Sequence, residues 1–287
     1  MPLGSPSGQS MVGIVALMAV LWCLPVTAWA HDPITSEGAA RWVGVVNVLW
    51  LGALWVFYIV GQRRHAPPVW RAVLFHFTCA LALITLMGPL DGWAETSTAA
   101  HMVQHMLVMV VIGPLWVLSR PFPQWFHAGL KNKAGWHRVT RISQYPMTMA
   151  YLHAAAIWFW HLPKPYMLAV EQPWWHWVEH LCFLLTAVGF WWAVLLGGRR
   201  NRPLALLAVL FTLMHTGFLG AVLTFANDVL YGEARSIQDQ QLAGLIMWVG
   251  GGIPYLIAAG WIGHQWLRDL ERRMQRIKVA NGPLRTR

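Results

Sequence analysis

Seven separate apolar runs, each about long enough to cross a bilayer core as a helix of some 20 residues, constrain this 287-residue chain more than any other feature. They occupy residues 42–60, 69–90, 98–118, 146–162, 174–196, 203–225 and 240–263. Inside lipid every backbone N–H and C=O must be satisfied within the protein, so such runs become helices. The polar–apolar alternation of a membrane β-barrel is absent. The expected fold is therefore all-α, a polytopic membrane helix bundle of seven transmembrane helices. Only 11% of residues are charged, against about 25% in soluble domains.

An eighth apolar stretch, "MVGIVALMAVLWCLPVTAWA" at 11–30, ends in Ala28-Trp29-Ala30. This A-x-A-like pattern marks a signal peptide cleaved before His31. No basic residues precede the run, so an uncleaved extra span, giving eight helices in all, is the alternative. The organisation expected is a signal segment over 1–30, a seven-span domain over 31–263 and a basic tail over 264–287. Cys23, Cys79 and Cys182 are isolated in apolar segments, with no CxxC, and indicate neither a disulfide framework nor a thiolate metal box.

The net charge of +10 could suggest nucleic acid, but it falls in short clusters between apolar runs. Arg63, Arg64 and Arg71 follow the first span, and Arg120, Lys131, Lys133, Arg138 and Arg141 follow the third. Arg199, Arg200 and Arg202 follow the fifth, and the tail from Arg268 to Arg287 follows the seventh. The alternate loops are poor in basic residues. The positive-inside rule places the basic loops and the C-terminus in the cytoplasm and the mature N-terminus in the periplasm. The tail reads as a basic amphipathic helix lying among lipid headgroups.

This topology gives the histidines a depth. His101 and His105 open a span descending from outside, His161 closes a rising one, and His176 and His180 open the next. His153 lies about 12 Å deeper than His161 at 1.5 Å per residue. Two i, i+4 pairs each put two imidazoles on one helix face. Ionisable groups within spans are costly and usually functional, so five imidazoles at one depth point to a metal or cofactor site. Asp91, Glu95, Glu179 and Asp239 lie level with them and are expected to orient the rings, as ligating histidines require.

Imidazole suits copper, zinc, iron and nickel, and thioether favours cuprous copper. Met102, Met106 and Met109 beside the first pair, and Met167 after His161, make copper the expected metal, although methionine stripes are usually core filler. Haem held by histidines of two helices is the alternative. His76 and His215 lie deeper and read as interior hydrogen-bonding groups. His65, His127 and His137 lie in basic loops, and His31 would head the mature chain. "HMVQH" lacks the glutamate of the zinc-protease HExxH pattern, and no nucleophile constellation, Walker loop or dinucleotide fingerprint appears. The chain is thus not expected to be an enzyme. Gly250, Gly251 and Gly252 with Pro254 predict close helix packing or a kink.

Four stretches, "HMVQHMLVMVVIGPLWVLSRP" (101–121), "HAAAIWFWHLPKPY" (153–166), "HWVEHLCFLLTAVGFWW" (176–192) and "DQQLAGLIMW" (239–248), resemble the multi-span CtaG-type, caa3-oxidase-associated assembly factors of cytochrome c oxidase. Asp91 fits the same pattern, and the likeness runs from about 42 to 263. It implies a bacterial inner-membrane protein that supports copper supply to a haem–copper oxidase. Its metal positions would be His101, His105, His153, His161, His176 and His180, with Asp91 and Asp239 as acidic companions. The expected partners are oxidase subunits or a periplasmic copper chaperone, besides lipid, and no nucleic acid. A haem-binding redox protein, or a copper permease working through His153, His215 and His76, are the other readings.

Overall fold

The computed structural model describes residues 37–130, 135, 141, 144–232 and 235–281, and all regular structure among them is helical. The signal-like segment, His31, Cys23, His137 and most of the basic loop 131–143 lie outside the described residues. Among the described residues, six helical stretches have the length and apolarity to cross a membrane. The first is α1 (Gly38–Arg64). Next come α2 (Val69–Met87) and the short α3 (Pro89–Thr96), which together form one stretch. The third stretch joins α4 (Thr98–Met106), a π-helical segment Leu107–Ile112 and α5 (Gly113–Ser119). A short α6 (Phe122–Ala128) packs on α1 at the far end.

The run expected at 146–162 is shorter than anticipated: α7 (Pro146–Trp160) has 15 residues, or roughly 22 Å at 1.5 Å per residue. It packs against both α9 (Pro173–Leu195) and α10 (Arg202–Phe225). Between α7 and α9 lies the short α8 (Pro163–Glu171). Prolines stand in the first turns of α3, α7, α8 and α9. Proline's missing N–H is harmless there and its fixed φ favours helix entry, so the chain is cut into these pieces by sequence.

The last stretch runs through α11 (Ile237–Leu245), a second π segment Ile246–Gly250 and α12 (Gly252–Asn281). As far as residue 281, the basic tail is thus the uninterrupted end of the last helix. Asp269, on that extension, is buried and accepts a hydrogen bond from Arg202 of α10, with Arg199 3.7 Å away. At the glycine run, where close packing or a kink was expected, the helix passes through the π segment and Gly251 N–H reaches back five residues to Ile246 O at 2.9 Å. A β-carbon on Gly251 would lie 2.5 Å from the backbone oxygen of Met247 and 2.6 Å from Met106 Sδ, so the tight turn of backbone here favours glycine.

The first π segment has a traceable cause and consequence. Pro114 cannot donate, and its ring would strike the carbonyl four residues back in a regular helix. The helix widens, Gly113 N–H bonds Val108 O, and Met109 O loses its α-helical donor. The Trp191 indole N–H of α9 takes that carbonyl at 2.9 Å. Substituting Trp191→Phe removes the donor from a buried carbonyl and is expected to cost about 1–3 kcal/mol. Thermal unfolding in detergent reads this directly, and an unchanged midpoint would reject the pairing.

Candidate metal centre

Ser97 starts α4 as an N-cap, its hydroxyl accepting from Ala100 N–H at 3.1 Å, the arrangement that satisfies an otherwise orphan helix donor. Asp239 of α11 completes this start. It accepts from the Ser97 hydroxyl at 2.8 Å and from the backbone N–H groups of Thr98 and Ala99. A carboxylate at a helix N-terminus also meets the positive end of the helix dipole. Asp239 therefore positions the helix that carries His101, rather than bonding an imidazole itself as the sequence suggested.

One turn further, His101 and His105 face α9, their ring centroids 4.2 Å apart. On α9 the rings of His176 and His180 are also 4.2 Å apart. The two pairs meet: His101 lies 5.0 Å from His176, and His105 lies 5.4 Å from His180, between centroids. Glu179 sits between the two α9 histidines in sequence and reaches across to α4. Its Oε2 lies 3.3 Å from His101 Nε2 and 3.5 Å from His105 Nε2. Glu179 and His105 are wholly buried, and no histidine of the four is more than 6% exposed.

His161, at the C-terminus of α7, supplies a fifth ring, 5.8 Å from His105. Its Nδ1 donates to Ile157 O at 2.7 Å, which fixes the tautomer and leaves Nε2 as a bare acceptor. Asp91 of α3 lies 3.9 Å from His176 Nδ1 and accepts from Gln104 Nε2 at 2.7 Å. His153 stands apart, bonded to Thr186, and makes no ring contact with the five among the described residues. Met102, Met106 and Met109 belong to the apolar core. Glu95 contributes only its backbone carbonyl to the described bonds, accepting from Arg235 at 2.9 Å.

Three residues around the cluster escaped sequence reasoning. Arg235 is buried in the loop before α11, donates to Thr98 Oγ1 at 3.1 Å and lies 5.7 Å from the centre of the Tyr166 ring. Tyr166 of α8 stacks on His101 at 5.1 Å and on Tyr231 at 3.9 Å, and Tyr231 donates to His161 O. Burial pushes both phenols up from their ordinary range, so they remain neutral donors. A lone arginine in a loop otherwise acidic was the available signal for Arg235. Tyr166 closes the stretch 153–166, one of the four that carry the family likeness.

His101, His176, Glu179 and His180 each offer a donor atom, and these atoms lie within 4.8 Å of one another. His101 Nδ1, His180 Nε2 and Glu179 Oε1 are buried without a hydrogen-bond partner. Buried polar atoms are normally satisfied, so a buried group of this kind that keeps unpartnered nitrogen and oxygen atoms suits a cation. Three imidazoles and one carboxylate are a borderline donor set, fit for copper or zinc.

Comparison with known proteins agrees with this architecture. No solved structure matches the chain. A relative in Mycobacterium leprae, the uncharacterized protein ML1998, is 24% identical over 273 residues, covering 86% of this chain and 40% of its own length. The chain thus spans less than half of that relative. The profile of the cytochrome c oxidase caa3 assembly factors matches residues 53–269, a range that contains α2 through most of α12 and every histidine of the cluster. On that match the chain, a multi-pass membrane protein, belongs to the cytochrome c oxidase caa3 assembly factor family.

Proposed function

We propose that this protein holds copper at the His101, His105, His161, His176, His180 and Glu179 cluster and passes it on during assembly of a haem–copper oxidase. The act is ligand exchange without catalytic turnover, and the recipient or donor is an oxidase subunit or a periplasmic copper chaperone. The observation that carries the proposal is the buried group of three imidazoles and a carboxylate with donor atoms within 4.8 Å. Removing such polar groups from water without a partner is unfavourable, and a bound ion would supply the missing compensation. His105 and His161 stand next to this group as exchange ligands, while Asp91 and Arg235 hold its surroundings. The thioethers of Met102, Met106 and Met109, packed in the core, are left out of the ligand set.

The cluster faces the periplasm in this proposal, and the bacterial inner membrane is its location. The support is the alternation of basic and non-basic loops, which sets the cluster at the end opposite Arg120 and Arg199. We further infer that α7 is a seventh crossing. The chain leaves the cluster end along α4 and α5 and is back beside His105 at His161, and α7 lies along that return. A signal segment over 1–30 would then place Gly38 at the periplasmic end.

Haem is disfavoured by space. Five of the ring pairs, His101–His105, His101–His176, His105–His161, His105–His180 and His176–His180, lie at centroid distances of 4.2 to 5.8 Å, too close for a macrocycle between the members of those pairs. The test is copper analysis and absorption spectroscopy of anaerobically purified protein, with and without His101→Ala plus His105→Ala. Loss of the copper bound at this cluster in the double variant, and no Soret band in either sample, is expected. Full copper retention would reject the assignment.

A further inference from the structure

About 12 Å below His161 at helical rise, a second set of donors lies between α7, α9 and α10. His153 is wholly buried, with its Nδ1 2.9 Å from Thr186 Oγ1. The Thr186 hydroxyl spends its hydrogen on Cys182 O at 2.7 Å, so it accepts from His153 Nδ1–H. Nε2 of His153 is therefore a bare lone pair, and it has no hydrogen-bond partner.

His215 of α10 carries two further buried ring nitrogens without a partner. Two ring contacts set its height relative to His153. Tyr151 meets Phe211 at 5.1 Å and Trp158 meets Phe218 at 6.0 Å. Both contacts pair residues 60 apart, so α7 and α10 run side by side in one direction and His215 is level with residue 155. That is within one turn of His153, and the two imidazoles are in electrostatic reach of each other.

A soft donor is adjacent. Met149 precedes His153 by four residues and so shares its helix face. A β-carbon on Gly189 of α9 would lie 3.3 Å from the Met149 sulfur, and Gly189 is one turn from Thr186. Residues 146–163, 180–198 and 203–226 contain no Asp, Glu, Lys or Arg. An ion here would be compensated by neutral donors alone, which penalises a divalent cation far more than a monovalent one. Imidazole with thioether selects cuprous copper.

We propose that His153, His215 and Met149 form a second, deeper site that binds a single cuprous ion within the membrane part of the bundle. The identity of the ion rests on the copper reading of the outer cluster, while the donor geometry does not. The site differs in kind from the outer one, which offers a carboxylate and no sulfur.

The test is anaerobic titration of the full-length protein in detergent with cuprous ion against a competing chelator, paired with X-ray absorption at the copper edge. In protein carrying His101→Ala and His105→Ala, residual cuprous binding with a sulfur neighbour is expected. Adding Met149→Leu, a change of similar volume that cores tolerate, should remove the sulfur neighbour and weaken that binding about tenfold or more. His215→Phe in the otherwise native protein should lower the copper count while leaving the outer copper in place. Absence of residual binding in the double variant, or a copper environment unmoved by Met149→Leu, overturns the deeper site. Failure of the outer cluster reads differently: the double variant would keep its full copper, and Met149→Leu in the same sample would still decide the deeper site.

Discussion

Glu179→Gln is expected to weaken copper binding at the outer cluster by about 10- to 100-fold and to lower oxidase assembly in step. The carboxylate lies within reach of both α4 histidines, at 3.3 Å from His101 and 3.5 Å from His105. Glutamine keeps its volume and hydrogen-bonding reach but carries no charge. The change should therefore leave the bundle folded and act on the ion. Chelator competition with purified protein measures the first effect. Oxidase activity in membranes of a strain relying on the variant measures the second. Unaltered copper affinity would remove Glu179 from the site.

A larger structural effect is expected from Gly244→Val. Gly220 of α10 and Gly244 of α11 face each other so closely that a β-carbon on Gly244 would lie 2.5 Å from both Gly220 O and Thr224 N. Those atoms are backbone and cannot swing aside, so the two helices must separate. Overpacking of this kind costs about 1–3 kcal/mol and sometimes more. The effect should reach the metal cluster, because α11 carries Asp239 little more than one turn from Gly244, and Asp239 holds the start of α4. A lower unfolding midpoint together with reduced copper binding is the expected result. Gly260→Ala, where a β-carbon meets nothing within 4 Å, is the control and should be neutral or slightly stabilising. Equal behaviour of the two variants would show that the α10–α11 approach contributes nothing.

Much of the candidate site was readable along the chain because its signals are local. The HxxxH pairs declare their own shared face through the helical repeat, and their distance from the loops declares their depth. His101, His105, His176 and His180 accordingly meet as expected, with His161 beside them. Asp239 shows the limit of such reasoning. Its level was right, but its partners are the Ser97 hydroxyl and two backbone N–H groups some 140 residues away in the chain. Glu179 shows the same limit from the other side. It was expected as support for the rings, and its carboxylate lies against His101 and His105 while also falling within the group of candidate donor atoms. Arg235 drew no reading of its own along the chain, and the fold buries it against Thr98 and Tyr166.

Taken alone, the amino-acid order determined that this chain becomes a bundle of apolar helices with imidazoles gathered toward one end and a likeness to oxidase assembly factors. Those properties follow from composition over about 20 residues and from the 3.6-residue repeat, both of which are short-range. The tertiary structure decided which side of each helix faces its neighbours, that the three methionines turn into the core, that α7 is only 15 residues long and that the tail continues the last helix. A helix apolar on every side carries little information about which side is inward. Only the close approach of particular backbones and the pairing of distant polar atoms could settle that choice.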